Sequence, residues 1–176
     1  GSVVAIGAPG NGADSGHVRI YNNVEGNWIQ IGSDIDGEAS IDTSGFSVSL
    51  SADGSIVAIG APNNDNSTGS ASGHVRIYSF VGDSWQQIGD DIDGETSYDN
   101  SGRSVSLSID GNTVAIGAPY NDDNGSNSGH VRIYSILSEG CTDITACNFE
   151  IGANLDDGTC HYNCNFCMEG TIWNEE

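Results

Sequence analysis

The stretch GFSVSLSADGSIVAIGAP (Gly45–Pro62) returns further along the chain as GRSVSLSIDGNTVAIGAP (Gly102–Pro119). In both copies, two short runs rich in Val and Ile flank an Asp-Gly dipeptide. Apolar runs of this length, bounded by turn residues, are typical of β-strands. Asp-Gly between two such runs favours a two-residue hairpin turn. The stretch therefore predicts an antiparallel β-hairpin that the chain uses twice.

Shorter motifs extend this repeat on both sides. VAIGAP and SGHVRIY each occur three times, and the pattern WxQIGxDIDGE occurs twice. One period thus holds four strand-like runs, SVSLS, VAIGAP, GHVRIY and WxQIG, and none has the 3.6-residue spacing of a helix. The copies begin at Val4, Val57 and Val114 for VAIGAP, at Ser15, Ser72 and Ser128 for SGHVRIY, and at Trp28 and Trp85 for the third pattern.

Four antiparallel strands in a period of about 40–50 residues are the signature of a β-propeller blade, with a sandwich or a solenoid as other all-β solutions. The expected fold class is therefore all-β, with propeller-type blades and an incomplete ring. Propellers close with roughly four to eight blades, and the motif counts amount to one full blade and parts of two others. Further blades of the same parent protein, or other protein chains, are the expected partners, because an open stack exposes the apolar faces of its end blades.

The two long copies resemble the FG-GAP repeat, which is the blade of the integrin α-subunit propeller and also occurs in many bacterial and algal extracellular proteins. The resemblance covers residues 1–137 and rests on the GAP triplet and its spacing. Blades of the integrin type carry a calcium loop, DxDxDGxxD, where this chain has SADGS or SIDGN with one carboxylate each. Calcium takes six to eight oxygen ligands, so we do not expect the integrin calcium sites here.

The composition is strongly acidic, with 25 Asp plus Glu against four Arg and no Lys, for a formal net charge of -21. Such a chain is repelled by nucleic acid and by anionic membrane surfaces, so neither is an expected partner. Membrane insertion is not expected either, because no apolar run approaches the roughly 18 residues that a spanning helix needs. Since the chain opens inside the strand-like run SVVAIG, we expect it to be a piece of a longer extracellular protein.

The repeats end near residue 137, and residues 138–176 are predicted to form a separate cysteine-rich module that is truncated at its end. Half of a zinc site is one interpretation of CNFC, but a short acidic segment with several cysteines favours disulfides, whose pairing stays open. CTDITACNFEIGANLDDGTC resembles a cysteine module near the C-termini of large secreted proteins of marine bacteria, which implies export and surface attachment. The cysteines are Cys141, Cys147, Cys160, Cys164 and Cys167.

Calcium is the one cofactor that the sequence suggests, at three groups of acidic residues. The alternatives are a strand end with solvated acids for the DIDGE segments, and an Asx-type turn before Cys160 for the tail. Asn66 and Asn124 begin N-glycosylation sequons in loops that we expect to be exposed. The calcium candidates are Asp34, Asp36, Glu38, Asp91, Asp93 and Glu95 in the two DIDGE segments, Asp65, Asp122 and Asp123 in the Asn- and Asp-rich loops, and Asp156 and Asp157 in the tail.

Each SGHVRIY copy places a histidine two residues before an arginine. On a strand, alternation directs His, Arg and Tyr to one face and Val and Ile to the other. Arg19, Arg76 and Arg132 are predicted to pair with an acid of the adjacent blade, because an unpaired charge between blades is costly. Three equal copies argue against a catalytic pair, and the sequence contains no catalytic motif, so we do not expect an enzyme.

The predicted function is a non-enzymatic structural or adhesion module of an extracellular cell-surface or matrix protein, with the blades as scaffold or interaction surface. One alternative is a glycan-binding propeller that presents Trp28 and Trp85 to a sugar, although packing between blades is the favoured role of both residues. Another alternative is a subunit of an extracellular filament, assembled through open blade edges and an unpaired cysteine.

Overall fold

The computed structural model describes residues 2–136, 139–141, 143, 145–147, 155–156 and 158–162. The chain divides into two compact units, Gly1–Ile136 and Leu137–Glu176. The predicted all-β class is confirmed, since the one helical segment among these residues is the single turn Asn11–Asp14. Among the described residues, no helix is long and apolar enough to cross a membrane.

The first unit consists of three antiparallel sheets, each formed by strands that follow one another in the chain. In the first and second sheets, a final two-residue strand pairs with the beginning of the SGHVRIY strand. The first sheet contains β1 (Val3–Ala8), β2 (His17–Val24), β3 (Asn27–Gln30) and β4 (Ile35–Asp36); the second contains β5 (Ser47–Leu50), β6 (Ile56–Ala61), β7 (His74–Val81), β8 (Ser84–Gln87) and β9 (Ile92–Asp93); the third contains β10 (Ser104–Leu107), β11 (Thr113–Ala118) and β12 (His130–Ser135).

The second sheet is a complete blade with the predicted order SVSLS, VAIGAP, GHVRIY and WxQIG. Its outermost strand is interrupted between β8 and β9, both of which pair with β7. The first sheet has the same interruption between β3 and β4. There the Ile31 amide still donates to the Ile20 carbonyl, and pairing resumes only where Ile35 lies opposite Val18. Asp34 therefore falls in a bulge beside the ladder, close to the arginine of the neighbouring strand.

The turn between β5 and β6 is longer than the two-residue hairpin turn expected from Asp-Gly. The Ser51 amide donates to the Ile56 carbonyl, so four residues form the loop, and Gly54 has the positive φ of 77° that the turn requires. Asp53 accepts hydrogen bonds from the Ser51 hydroxyl and from the Ser55 amide and hydroxyl. These bonds stabilise the longer loop and use the single carboxylate of the turn.

Face-to-face packing of the three sheets creates two hydrophobic cores. Alternation along β6 sends Val57 and Ile59 towards Val18 and Ile20 of the first sheet. The intervening Ala58 faces the third sheet instead, so the second sheet is covered on both faces. The second core consists of Ala58, Val75, Ile77, Val114, Ile116 and Ile136.

The glycines of the first two GAP triplets lie against the backbone of the following repeat. A Cβ atom on Gly7 would overlap the carbonyl oxygen of Gly45, and one on Gly60 would overlap that of Gly102. Glycine is therefore required at these positions by the neighbouring backbone. Gly117, in the third sheet, has no such backbone neighbour among the described residues.

The two outer faces of the stack are exposed although they are apolar. On the third sheet, Val131 is 68% and Ile133 is 73% exposed, whereas the equivalent Val75 and Ile77 of the second sheet are 0% and 2% exposed. Ile6, on the outer face of the first sheet, is 52% exposed. These exposures agree with the expectation that an open stack leaves its end faces uncovered.

The second unit is held by a disulfide between Cys141 and Cys160, and Cys147 is disulfide-bonded as well. Its two short strands, β13 (Glu139–Gly140) and β14 (Leu155–Asp156), pair in parallel. Asp157, Cys164 and Cys167, which the sequence singled out, lie outside the described residues.

Candidate functional site

Arg76 lies where the first sheet packs against the second, and it contacts acids of both. Arg76 of β7 donates from Nε to Asp91 Oδ1 and from Nη2 to Asp91 Oδ2, both at 2.8 Å, within the second sheet. Its guanidinium also forms an ion pair with Glu38, which follows β4 of the first sheet. The Arg76 side chain is only 14% exposed, so this arginine joins two sheets from a largely buried position.

The other two arginines of the SGHVRIY strands each have one acidic partner. Arg132 of the third sheet pairs with Glu95, which follows β9 of the second sheet. Arg19 donates to both Oδ atoms of Asp34, at 2.8–2.9 Å, within the first sheet. Arg76 and Arg132 thus contact acids across a junction, whereas the described residues place no acid of another sheet beside Arg19. Arg19 and Arg76 can each contact an aspartate of their own sheet, Asp34 and Asp91, because the outer strand is interrupted at that aspartate.

These contacts change the protonation behaviour of the groups involved. Hydrogen bonds from Arg19 and Gln30 lower the pKa of Asp34 to about 2. Burial would raise the pKa of Asp91, but its bonds with Arg76 and Gln87 outweigh burial and lower it. Both carboxylates are therefore ionised near neutral pH and act as counter-ions of the arginines.

Burial has the opposite consequence for the histidine of the same junction. Loss of solvent lowers the pKa of His74, with a further contribution from the positive charge of Arg76. His74 is consequently neutral above its ordinary pKa of 6.5. The junction therefore contains paired charges and a neutral imidazole, an arrangement suited to holding sheets together.

We expect Asp34→Asn to abolish part of the acid sensitivity of the first unit. Since Asp34 has a folded-state pKa of about 2 against an ordinary 3.8, its stabilising effect is complete above pH 4 or so and is lost as the pH falls through about 2. Urea unfolding of both proteins at several pH values between about 6 and 2.5 measures this. The difference in midpoint should shrink as the pH falls, and a constant difference would contradict the assignment.

Two buried Asp–Asn pairs, which the sequence reasoning missed, connect consecutive repeats. Asn64 Nδ2 donates to Asp42 Oδ2 at 3.0 Å, and Asn121 Nδ2 donates to Asp99 Oδ2 at 2.9 Å. All four residues are buried. The sequence feature that could have indicated these pairs is the repetition of DxSG after the DIDGE segments and of APxN at the end of the GAP strands.

Asn121→Ala should destabilise the first unit by about 1–3 kcal/mol, because it removes a donor from the buried carboxylate of Asp99. Asn11→Ala is the matched control: Asn11 holds the same place after the first GAP triplet but is exposed. Its loss should cost less than about 0.5 kcal/mol. Equal urea midpoints for the two variants would show that the buried pair does not contribute.

Two of the three candidate aspartates in the Asn- and Asp-rich loops accept hydrogen bonds from backbone amides of the same loop. Asp65 accepts a hydrogen bond from the Ala71 amide, and Asp122 accepts one from the Asn127 amide. Asn66, the first sequon residue, also organises its loop through the Gly73 carbonyl, whereas Asn124 is exposed. These contacts give the loops internal order, and calcium binding and glycosylation there stay predictions.

The DIDGE acids lie beside the SGHVRIY histidines, a combination that the sequence did not suggest. In each of three groups, the ligand atoms lie within 4.8 Å of one another. Asp93, a predicted calcium ligand, belongs to none of these groups. Asp156, another predicted ligand, lies in β14 of the second unit. The groups are His17 with Asp34 and Asp36, His74 with Glu38 and Asp91, and His130 with Glu95 and Asp123.

The two tryptophans of the WxQIG strands differ in their surroundings. The Trp85 indole donates to the Ile31 carbonyl of the first sheet at 3.0 Å, and its ring lies 5.0 Å from that of Phe80. Trp28, at the same place in the first sheet, is 52% exposed. Trp85 thus contributes to the packing of two sheets, while the indole of Trp28 is open to solvent.

Comparison with known families agrees with the repeat geometry. An FG-GAP repeat is found at residues 92–134, which span β9, β10, β11 and all but the last residue of β12. No curated protein matches the chain. Residues 92–134 therefore form an FG-GAP repeat.

Proposed function

We propose that the chain is a non-enzymatic extracellular module of a cell-surface or matrix protein, and that its stacked repeats serve as scaffold and interaction surface. FG-GAP repeats and disulfides are typical of extracellular proteins, and the bond between Cys141 and Cys160 fits an oxidising compartment. The observation that carries the proposal is the exposed apolar face of the third sheet, with Val131 and Ile133 open to solvent.

The shape of this face favours one kind of occupant, a further repeat. A groove of about 530 Å³ lies along it, lined in part by Gly117 and Gly129. In the second sheet, the equivalent Gly60 and Gly73 receive the backbone of the following repeat, at Ser101 and Gly102. The groove thus has the form of the site that accepts a Ser-Gly segment elsewhere in the same chain.

An insertion of one extra period tests this proposal. A second copy of residues 80–135, placed directly after Ser135, preserves the strand order and should cover Val131 and Ile133. Burial of each side chain is worth about 1.5–3 kcal/mol, so the urea midpoint and the unfolding slope should both rise. Hydrogen exchange of β12 should slow. A separate unfolding transition for the inserted repeat, with β12 unprotected, would contradict the proposal.

Assembly into a filament is the alternative that the same faces support, because both ends of the stack are exposed. Sedimentation equilibrium of the wild-type chain and of a Val131→Asp/Ile133→Asp variant separates the two functions. A filament subunit should associate with increasing concentration, and the variant should remain monomeric at an unchanged melting temperature. Glycan binding has less support, since of the two tryptophans in the first unit Trp85 is engaged between sheets and Trp28 alone presents its ring.

A further inference from the structure

The junction between the second and third sheets differs from the other two ionic groups in the first unit. In the group of His17, the carboxylate of Asp34 is occupied by Arg19 and Gln30. In the group of His74, that of Asp91 is occupied by Arg76 and Gln87. In each of these two groups, one carboxylate beside the histidine is therefore occupied by a guanidinium and an amide donor.

The third group contains carboxylate oxygens that no donor occupies. Glu95 contacts Arg132 through Oε1, but its Oε2 atom is buried and has no hydrogen-bond partner among the described residues. Asp123 is exposed, and within the described residues its carboxylate accepts no hydrogen bond. His130 Nδ1 lies 3.8 Å from Glu95 Oε2. The Glu95 side chain as a whole is 32% exposed, but its Oε2 atom is shielded from solvent. An anionic oxygen without water or a donor is costly, and a cation at this place would remove that cost.

We propose that Glu95, Asp123 and His130 form a binding site for a divalent transition metal such as Zn²⁺. The three residues come from three segments: the loop after β9, the loop between β11 and β12, and the first position of β12. One imidazole nitrogen and two carboxylates suit Zn²⁺, whereas Ca²⁺ requires six to eight oxygens. The negative charge of one carboxylate is balanced by Arg132, so the group retains a charge for the metal to neutralise.

The distances fit this assignment after a small movement. Zn–ligand bonds of about 2.0–2.2 Å in a tetrahedron place the ligand atoms roughly 3.4 Å apart. His130 Nδ1 and Glu95 Oε2 are already at 3.8 Å, and the three ligand atoms lie within 4.8 Å of one another. Asp123, on an exposed loop, is the group that moves. Water completes the coordination on the solvent side.

Isothermal titration of the full, oxidised chain with Zn²⁺, after treatment with a chelator, tests the site. Wild-type protein should bind Zn²⁺, and His130→Gln and Asp123→Ala should each weaken this binding roughly tenfold or more, since each loses one of three ligands. His74→Gln is the matched control, because His74 lies in the equivalent place with Arg76 beside it. It should bind Zn²⁺ as the wild type does.

Several outcomes would overturn the proposal. The first is that the wild type does not bind Zn²⁺. The second is that neither substitution weakens the binding, which would mean that Zn²⁺ is held by ligands elsewhere in the chain. The third is Ca²⁺ binding that requires Asp123 but not His130. If His130→Gln fails to fold, the affinity of Asp123→Ala for Zn²⁺ is sufficient for the test, because substitution of the exposed Asp123 should not affect folding. A melting temperature that rises with Zn²⁺ in the wild type, but not in Asp123→Ala, is the second supporting measurement.

Discussion

Gly60→Ala is expected to destabilise the first unit by about 3 kcal/mol, at the upper end of the cost of overpacking. The added methyl group would overlap the carbonyl oxygen of Gly102, which belongs to the backbone of the next repeat and cannot rotate away. That carbonyl also accepts a hydrogen bond of 2.7 Å from the Ser47 hydroxyl. The substitution therefore has to shift the backbone of one repeat away from the other.

Gly117→Ala is the matched control for this prediction. In both sheets, the new methyl group would meet a serine hydroxyl, Ser47 in the second and Ser104 in the third, but only Gly60 also meets the backbone of another repeat. Because a serine side chain can change rotamer, Gly117→Ala should cost much less. Urea unfolding monitored by circular dichroism measures both variants, and similar losses of stability would mean that the approach of the sheets is not the reason for the glycine.

The second large effect is expected for Arg76→Ala, with a loss of about 2–3 kcal/mol. Removal of one partner from a buried ion pair costs about 3–5 kcal/mol, and a somewhat smaller value applies here because the acids beside Arg76 retain some solvent. Without the guanidinium, Asp91 and Glu38 face one another across the junction with no counter-charge. The repulsion of two carboxylates adds to the lost hydrogen bonds.

The repeat again supplies the control, since Arg19→Ala removes the equivalent arginine from an exposed pair. The Arg19 side chain is 44% exposed and contacts one acid, so Arg19→Ala should lower the stability far less than Arg76→Ala does. A double-mutant cycle with Glu38→Gln isolates the contact across the junction. Equal losses for Arg76→Ala and Arg19→Ala, together with no coupling to Glu38, would show that the arginine does not join the sheets.

The strand order was predictable because it depends on properties of short segments. The period-two alternation of GHVRIY, the Gly- and Asn-rich loops and the repeated GAP triplets each specify local structure. The structure contains the predicted strands, and it differs at the hairpin after Leu50, where a four-residue loop replaces the two-residue turn. Hydrogen bonds to Asp53 from Ser51, just before the loop, and from Ser55, its last residue, favour the longer loop.

Side-chain partners could be predicted only in part, because they depend on segments that are distant in the sequence. The excess of acids over arginines indicated that each arginine would be paired. It did not indicate that Asp34 and Asp91 would lie in a bulge of the same sheet, beside their arginines. Nor did it reveal the buried contacts of Asp42 with Asn64, since DxSG and APxN look like solvated loop sequences.

By itself, the sequence determined the all-β class, the period and the order of the strands, because alternation and turn residues act over a few positions. Only the tertiary structure decided which surfaces are shared between repeats. The same Val-x-Ile motif is buried at Val75 and exposed at Val131, and the difference is whether another sheet lies against it. Likewise, the same histidine is enclosed by paired charges in one junction and, in another, stands beside carboxylate oxygens that no donor occupies. Identical local sequences thus acquire different roles from their neighbours in the stack.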